Sequence, residues 1–177
     1  HPWTILAAGA AIQVLTGIPA AWGVFQQPVM DEYGLSEQGA GYAFGILIAA
    51  FGVGCVLGGF LQDSRGPRCA ALWGTALLCG GFFAAAMLPG GSAVSFFLAF
   101  SIPAGLGTAF LYPSIQSCAQ KWYAGRKGLA TGVIGGAVGL SGAFLTVFVR
   151  TAVSGFGIVQ GIRGAFWALG AITLPVC

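Results

Sequence analysis

The chain has 177 residues, of which 57% are hydrophobic and 6% are charged. Because a soluble domain carries about 25% charged residues, this composition excludes a protein whose surface faces water throughout. The net charge of +3 is too small to indicate a nucleic-acid-binding surface, and the continuous apolar runs favour membrane-spanning helices over a barrel.

The first two predicted spans are joined by an acidic loop. Residues 3–25 form an apolar run of about the 20 residues that a helix needs to cross the hydrocarbon core, and Gly17 and Pro19 interrupt it. The second span covers residues 39–61. The loop between them lacks Lys and Arg, so we expect it on the outer side of the membrane. Its acidic residues are Asp31, Glu32 and Glu37.

Four further spans are predicted, over residues 69–88, 94–119, 128–149 and 163–177. The sixth is too short to cross without tilt or local thinning of the bilayer. We therefore predict one six-helix domain over residues 1–177. The fourth span contains residues that interrupt helices, namely Pro103, Gly105, Gly107 and Pro113.

Basic residues are distributed unequally between the two sides of the membrane. One side holds Arg150 and Arg163, which either lie at the interface or face an aqueous cavity. The larger number of basic residues on the other side predicts that this side and the N-terminus are cytoplasmic. Those residues are Arg65, Arg68, Lys121, Arg126 and Lys127.

Cysteine, histidine and acidic residues do not indicate a metal site, a cofactor or an enzyme. No C-x-x-C pair occurs, and the single histidine, His1, has no ligand partner nearby. All four carboxylates are predicted in loops, whereas an intramembrane enzyme needs paired acids or a histidine cluster within its spans. The cysteines are interpreted as small apolar residues of the helices: Cys55, Cys69, Cys79, Cys118 and Cys177.

The six predicted spans show an internal symmetry. The first and the fourth are the two that proline interrupts, and they occupy matching places in two units of three spans. Because a unit of three spans reverses direction, the two units would be inverted in the membrane, and interrupted helices at matching positions indicate a transporter's substrate site. The second and fifth spans are rich in glycine, which for most positions indicates close helix packing: Gly41, Gly45, Gly52, Gly54 and Gly58, then Gly128, Gly132, Gly135, Gly136, Gly139 and Gly142.

The loop from Gly59 to Arg68 resembles the loop between helices 2 and 3 of major facilitator superfamily transporters, whose pattern is G-x-L-x-D-x-x-G-x-R. Asp63 and Gly66 match, but Ser64 takes the usual basic place and an arginine follows one residue later. The segment KWYAGRKGLATG, residues 121–132, resembles the helix 4–5 segment of the oxalate/formate antiporter and monocarboxylate transporter branches. Residues 161–166 and 22–28 are similar to the start of helix 6 and the end of helix 1 in those branches.

This resemblance implies the fold and the mode of action. The fold would be the N-terminal domain of the major facilitator fold, an all-α membrane protein with six transmembrane helices as two inverted three-helix repeats. A C-terminal six-helix half would be its partner, and the two halves would rock about a central site to carry a small carboxylate, with protons or in exchange for a second anion. The lipid bilayer of the plasma membrane is the expected surrounding.

A charge cluster that latches the cytoplasmic side is also implied by the resemblance. Its residues would be Gly59, Asp63, Arg65, Gly66 and Arg68. An alternative stays open, in which Asp63 caps the next helix while Arg65 and Arg68 anchor to lipid headgroups. The second cytoplasmic loop, with Lys121, Arg126 and Lys127, is a further candidate.

The substrate positions of oxalate transporters in this branch match Pro19, Ala20, Tyr112 and Val138, of which only Tyr112 keeps the branch's residue. The lysine late in helix 1 of proton-coupled monocarboxylate carriers is near Gln26 here. The resemblance therefore disfavours oxalate and implies that the cation for the carboxylate comes from the second half.

The residues predicted to line the substrate cavity are Tyr112, Gln13, Thr16, Gln116 and Arg150. The alternative for Tyr112 is a packed ring with its hydroxyl bonded to a neighbouring backbone, and for the other uncharged residues it is a hydrogen bond between helices.

Secondary active transport of a small organic anion by alternating access, with a monocarboxylate favoured, is the predicted function. Two alternatives remain: a major facilitator transporter of a different substrate, and a non-transporting membrane subunit.

Overall fold

The computed structural model describes residues 2–87, 93–156, 164 and 166–171, and all regular structure within them is helical. The all-α class predicted from the composition is confirmed. The helices are α1 (Pro2–Thr16), α2 (Ile18–Tyr33), α3 (Glu37–Arg65), α4 (Pro67–Met87), α5 (Ala93–Phe96), α6 (Ile102–Trp122) and α7 (Lys127–Phe156). A π-helical segment, Phe97–Ser101, precedes α6, and a 3-10 turn, Ala124–Arg126, precedes α7.

Four helical stretches among the described residues are long and apolar enough to cross a membrane: Glu37–Arg65, Pro67–Met87, Val94–Trp122 and Ala124–Val147. α1 and α2 are each too short to be counted in this way. Of the sixth predicted span, residues 163–177, all but 164 and 166–171 lie outside the described residues. The chain is an integral membrane protein, while the count of six spans stays a prediction.

The first predicted span is interrupted where the sequence indicates. Gly17 separates α1 from α2, and Pro19 lies in the first turn of α2, where its missing N–H leaves no helical hydrogen bond unmade. α2 then continues beyond residue 25, so Asp31 and Glu32 belong to its last turn and not to a loop. Gly34 ends this helix with φ 64°, and its N–H donates to a carbonyl of the last turn.

The fourth predicted span is less interrupted than expected. α6 passes through Pro113 without a break, and the irregular part is the π-helical segment before Pro103. There the N–H of Ile102 donates to the carbonyl of Phe97, five residues earlier. Both irregular places stand directly before the same three residues, Ile-Pro-Ala, at 18–20 and at 102–104.

The helix pairings agree with two related units. α6, from the second unit, packs against α3 of the first, and α7, from the second unit, packs against α1 and α2 of the first. In the two units, α6 occupies the place of α1 and α2, and α7 occupies the place of α3. The pairing of α6 with α3 therefore corresponds to the pairing of α1 and α2 with α7. This is the packing that the predicted inverted repeats would produce.

The bundle has a basic end and an acidic end. Successive spanning helices alternate in direction, so Gly66 and the turn Ala124–Arg126 lie at the same end. The start of α1 is also there, because the rings of Trp3 and Tyr123 pack edge to face with centroids 6.0 Å apart. We call this the basic end, since it carries Arg65, Arg68, Lys121, Arg126 and Lys127. The acidic end contains Gly34 and the three acidic residues around it.

Two glycines allow α6 to approach its neighbours at backbone distance. A Cβ atom at Gly105 would lie 2.5 Å from the carbonyl oxygen of Leu47 in α3. A Cβ atom at Gly107 would lie 2.7 Å from both the carbonyl oxygen of Gly74 and the backbone nitrogen of Leu78 in α4. Because lipid supplies no hydrophobic force between helices, this close van der Waals packing is a main source of their association.

Replacement of Gly107 by alanine tests this packing. Because the new methyl would meet backbone atoms that cannot rotate away, we expect the complete protein in detergent to lose about 1–3 kcal/mol in free energy of unfolding. Gly80→Ala is the matched control, since Gly80 is an exposed glycine of α4 at which a Cβ atom has no neighbour within 4 Å. Thermal unfolding of both variants measures the difference, and equal stability would contradict the packing described.

Candidate functional site

A cavity of about 340 Å³ lies where α1, α3, α6 and α7 meet. It lies beside the interruption between α1 and α2, near the middle of the spanning helices. Because most of the cavity wall belongs to helices, the shape of the cavity depends on how closely these helices pack. Its lining residues are Gln13, Gly17, Phe51, Thr108, Tyr112, Gly135 and Val138.

The helix interruption leaves carbonyl groups that need donors from other helices. The Thr108 hydroxyl of α6 donates to the carbonyl of Thr16 at 3.5 Å. The Ser141 hydroxyl of α7 lies 3.0 Å from the carbonyl of Gly17 and 2.5 Å from that of Val138, so the two acceptors share it. Within a membrane, irregular backbone is tolerated where side chains of neighbouring helices satisfy it in this way.

Gln13 is a buried residue of the cavity wall with an unused hydrogen-bond donor. The residue is 1% exposed, and its Nε2 has no hydrogen-bond partner among the described residues. Its Oε1 lies 2.9 Å from the Thr16 hydroxyl, which also lies 2.9 Å from the carbonyl of Ile12. Thr16 thus fixes one side of the amide, and the other side is left for a group that enters the cavity.

The structure brings together some of the predicted cavity residues. Gln13 and Tyr112 both line the cavity. Thr16 is fully buried behind Gln13 and contacts it, but is not part of the wall. Gln116 is half-buried in α6 and lines none of the pockets described here. Arg150 belongs to α7, but its side chain lies outside the described part of the structure.

Several wall residues were not predicted as cavity residues. Thr108 could have been found, because it lies one helical turn before Tyr112 on the same face of α6. Gly17 was interpreted as a helix interruption and Gly135 as a packing residue. The sequence around these glycines does not show whether they also line a cavity. Phe51 carries no signal, since an aromatic residue in an apolar span is ordinary.

The predicted charge cluster lies at the basic end with its side chains exposed. Asp63 and Arg65 belong to the last turn of α3, and Arg68 to the first turn of α4. Gly66 alone links the two helices, with φ 86° and ψ 163°, a conformation essentially restricted to glycine. Within the described residues, Asp63 neither caps α4 nor forms an ion pair. A Cβ atom at Gly59 would have no neighbour within 4 Å.

A second pocket, of about 380 Å³, lies between α6 and α7 at the basic end. Arg126, in the turn between α6 and α7, is exposed and is not part of the pocket wall. Slightly deeper, Gln120 Nε2 donates to Thr131 Oγ1 across the two helices at 3.0 Å. The lining residues are Ser117, Gln120, Lys121, Ala124 and Lys127.

Packed aromatic rings occupy the acidic half of the bundle. Neighbouring ring centroids are 5.1–6.3 Å apart, which is ordinary contact for aromatic pairs. All but one of these rings are buried. They form part of the apolar core and do not line the cavity. The rings belong to Trp22, Phe44, Phe82, Phe96, Phe100 and Phe166.

No group of three or more His, Cys, Asp or Glu side chains that could hold a metal ion occurs among the described residues. The described cysteines are free thiols: Cys55, Cys69, Cys79 and Cys118.

Replacement of Ser141 by alanine tests the role of the interhelical hydroxyl. The Gly17 carbonyl would lose its donor, and we expect a loss of about 0.6–1.7 kcal/mol in free energy of unfolding, which lies between the average and the largest value measured for hydrogen bonds between membrane helices. Ser114→Ala is the control, because that buried hydroxyl bonds only to the carbonyl of Phe110 in its own helix, at 2.8 Å. Thermal unfolding of the complete protein in detergent compares them, and an equal or larger loss for Ser114→Ala would argue against the bond between helices.

Comparisons with known proteins agree with this architecture. The chain is 29% identical over 172 residues to an uncharacterized 38 kDa protein in the 23S RNA operon of Thermoproteus tenax, covering 97% of the chain and 43% of that protein. It is 24% identical over 159 residues to the oxalate:formate antiporter of Oxalobacter formigenes, covering 90% of the chain and 36% of the antiporter. It is 27% identical over 179 residues to monocarboxylate transporter 9 of Mus musculus, covering 98% of the chain and 33% of that transporter. The chain thus spans less than half the length of these relatives.

The family model of the Major Facilitator Superfamily matches residues 5–177, nearly the whole chain. Members of this family are membrane transporters and not enzymes. Together with the apolar helices and the helix interruption beside a cavity, this match shows that the chain belongs to the major facilitator superfamily.

Proposed function

We propose that the complete protein containing this chain is a secondary transporter of a small organic anion, a monocarboxylate, and that it works by alternating access. The observation that carries this proposal is the unpartnered Nε2 donor of Gln13 at the wall of the cavity. A buried donor without a partner costs about 1–3 kcal/mol, and an acceptor that enters the cavity removes this cost.

The polar groups on the cavity wall suit an anion. The Gln13 amide and the Tyr112 hydroxyl can both donate hydrogen bonds, and among the described residues no carboxylate belongs to the wall. A carboxylate accepts such bonds through two oxygens, and hydrogen bonds to charged acceptors are the stronger kind. The same wall offers little to a cation, which would need acidic or carbonyl ligands.

The residues of the cavity wall also favour a substrate with one carboxylate group over a substrate with two. Tyr112 and Val138 occupy positions that the resemblance assigns to substrate-contacting tyrosines in oxalate transporters, and both line the cavity. Val138 has no hydroxyl, so this site has fewer donors for a dianion. The names of two relatives, an oxalate:formate antiporter and a monocarboxylate transporter, support a small carboxylate as the substrate class.

The second half and the orientation are part of the proposal. A C-terminal six-helix half would complete the cavity and supply the cation that pairs with the carboxylate. The glycine faces of α3 and α7 are available for it, since a Cβ atom at Gly45, Gly52, Gly132 or Gly136 has no neighbour within 4 Å in this chain. The excess of basic residues favours a cytoplasmic location for the basic end, in the plasma membrane.

Transport by the complete protein in proteoliposomes tests the substrate class. We expect uptake of labelled lactate or formate in exchange for the same unlabelled anion, and weaker uptake of labelled oxalate. Acceleration by an inward proton gradient would indicate symport, and indifference to the gradient would indicate antiport. If none of the three anions moves, the proposed substrate class is wrong.

Gln13→Leu tests the donor that carries the proposal. Loss of a hydrogen bond to a charged group costs about 1.5–3 kcal/mol, so the KM for the transported carboxylate should rise at least about tenfold. Gln38→Leu is the control, because Gln38 is an exposed glutamine of α3 that does not line the cavity. A similar rise in KM for both variants would show that replacing a glutamine by leucine disturbs the fold, and that no hydrogen bond from Gln13 to the substrate was lost.

A further inference from the structure

We propose that the pocket between α6 and α7 at the basic end is a second carboxylate site, through which the anion passes between the central cavity and the water at that end. This inference rests on the proposed function. It assigns a role to Lys121 and Lys127, which the central cavity does not use.

The composition of the pocket is that of an anion site. Lys121 and Lys127 contribute two positive charges to one wall, and Ser117 and Gln120 contribute neutral donors beside them. Among the described residues, neither lysine has an ion-pair partner, and no acidic side chain lines the pocket. Two cations at one wall repel each other, so an anion between them would lower the electrostatic energy of the empty pocket.

A polar row on α6 connects this pocket to the cavity. Thr108 and Tyr112 line the cavity, Gln120 lines the pocket, and Gln116 follows between them at the same four-residue spacing. Residues at this spacing lie on one face of a helix, and Tyr112 and Gln120 are about 12 Å apart along its axis. Each row residue is therefore within one helical turn of the next.

The facing helix has a matching row. On α7, Gly135 lines the cavity, Lys127 lines the pocket, and Thr131 lies midway at the same spacing. The bond from Gln120 to Thr131 joins the two rows between cavity and pocket. An anion that moves along these rows meets hydrogen-bond donors between the cavity and the pocket.

The two halves of the bundle differ in a way that favours this route. Buried aromatic rings pack the acidic half within this chain, whereas polar and basic side chains line the pocket at the basic end. A small anion released from the cavity is attracted toward the positive potential of the lysines. Such steering is expected to weaken as salt screens the charges.

Transport kinetics of the complete protein in proteoliposomes provide the first test. In the variant Lys121→Gln with Lys127→Gln, we expect the KM for the transported carboxylate, measured from the basic end at low ionic strength, to rise about fivefold to tenfold. The KM measured from the acidic end should be unchanged, and the difference from wild type should shrink at high salt.

Two further variants separate the pocket from general surface charge. Arg126→Gln removes one charge from the same loop outside the pocket, and it should raise the KM measured from the basic end by less than either Lys121→Gln or Lys127→Gln alone. Lys127→Arg keeps the charge and should retain at least most of the wild-type affinity. An effect of Arg126→Gln equal to that of the double variant, or an equal rise in KM at both ends, would overturn the second site.

Chemical labelling tests the site independently of transport. In the variant Ala124→Cys, at a residue of the pocket wall, the new thiol should react faster with a negatively charged thiosulfonate than with a positively charged one, and formate should slow the reaction. Gly125→Cys, next to the pocket wall, should show no protection by formate, and the protein without an added cysteine gives the background of its native thiols.

The labelling result decides on the second site, and the transport result decides on the proposed function. Absence of formate protection at residue 124 overturns the second site even if carboxylates are transported. Labelling is repeated in vesicles of phosphatidylcholine alone and with roughly a quarter phosphatidylglycerol. Protection that depends on the anionic lipid and not on formate would show that the lysines bind headgroups, and would overturn the inference.

Discussion

Every backbone carbonyl that leaves a helix inside a membrane needs a donor from the protein, because lipid offers none. The interruption at Gly17 creates this need, and the hydroxyls of Thr108 and Ser141 meet it from α6 and α7. The same contacts hold three helices around the cavity. The hydrogen bonds that make the irregular backbone tolerable therefore also determine which helices form the candidate site, and at what depth.

Around this point the chain combines two kinds of contact. α6 approaches α3 and α4 at backbone distance through Gly105 and Gly107, which gives close packing without polar groups. Its polar residues Thr108, Tyr112 and Gln120 line the cavity and the basic pocket. The same helix thus provides close backbone packing and the polar lining of the candidate sites.

The fold class was predictable because apolar runs of membrane length and few charges leave no other solution. The interruption beside Pro19 was predictable for a local reason, since glycine and proline disturb any helix. Pro113 misled the prediction, because α6 passes through it without a break. Gln13 and Tyr112 could be found as polar residues in apolar spans. Phe51 and Ser141 could not, since their place depends on which helices become neighbours, and no local pattern encodes that.

The link between α3 and α4 consists of one residue, Gly66, in a conformation that other residues avoid. A one-residue link has no slack, so α3 and α4 cannot slide past each other by more than small amounts. α6 is interlocked with both of them at the level of the backbone. We therefore expect α3, α4 and α6 to move together as one rigid body. A displacement of the charged residues beside Gly66 would then move the far ends of these helices by a similar amount.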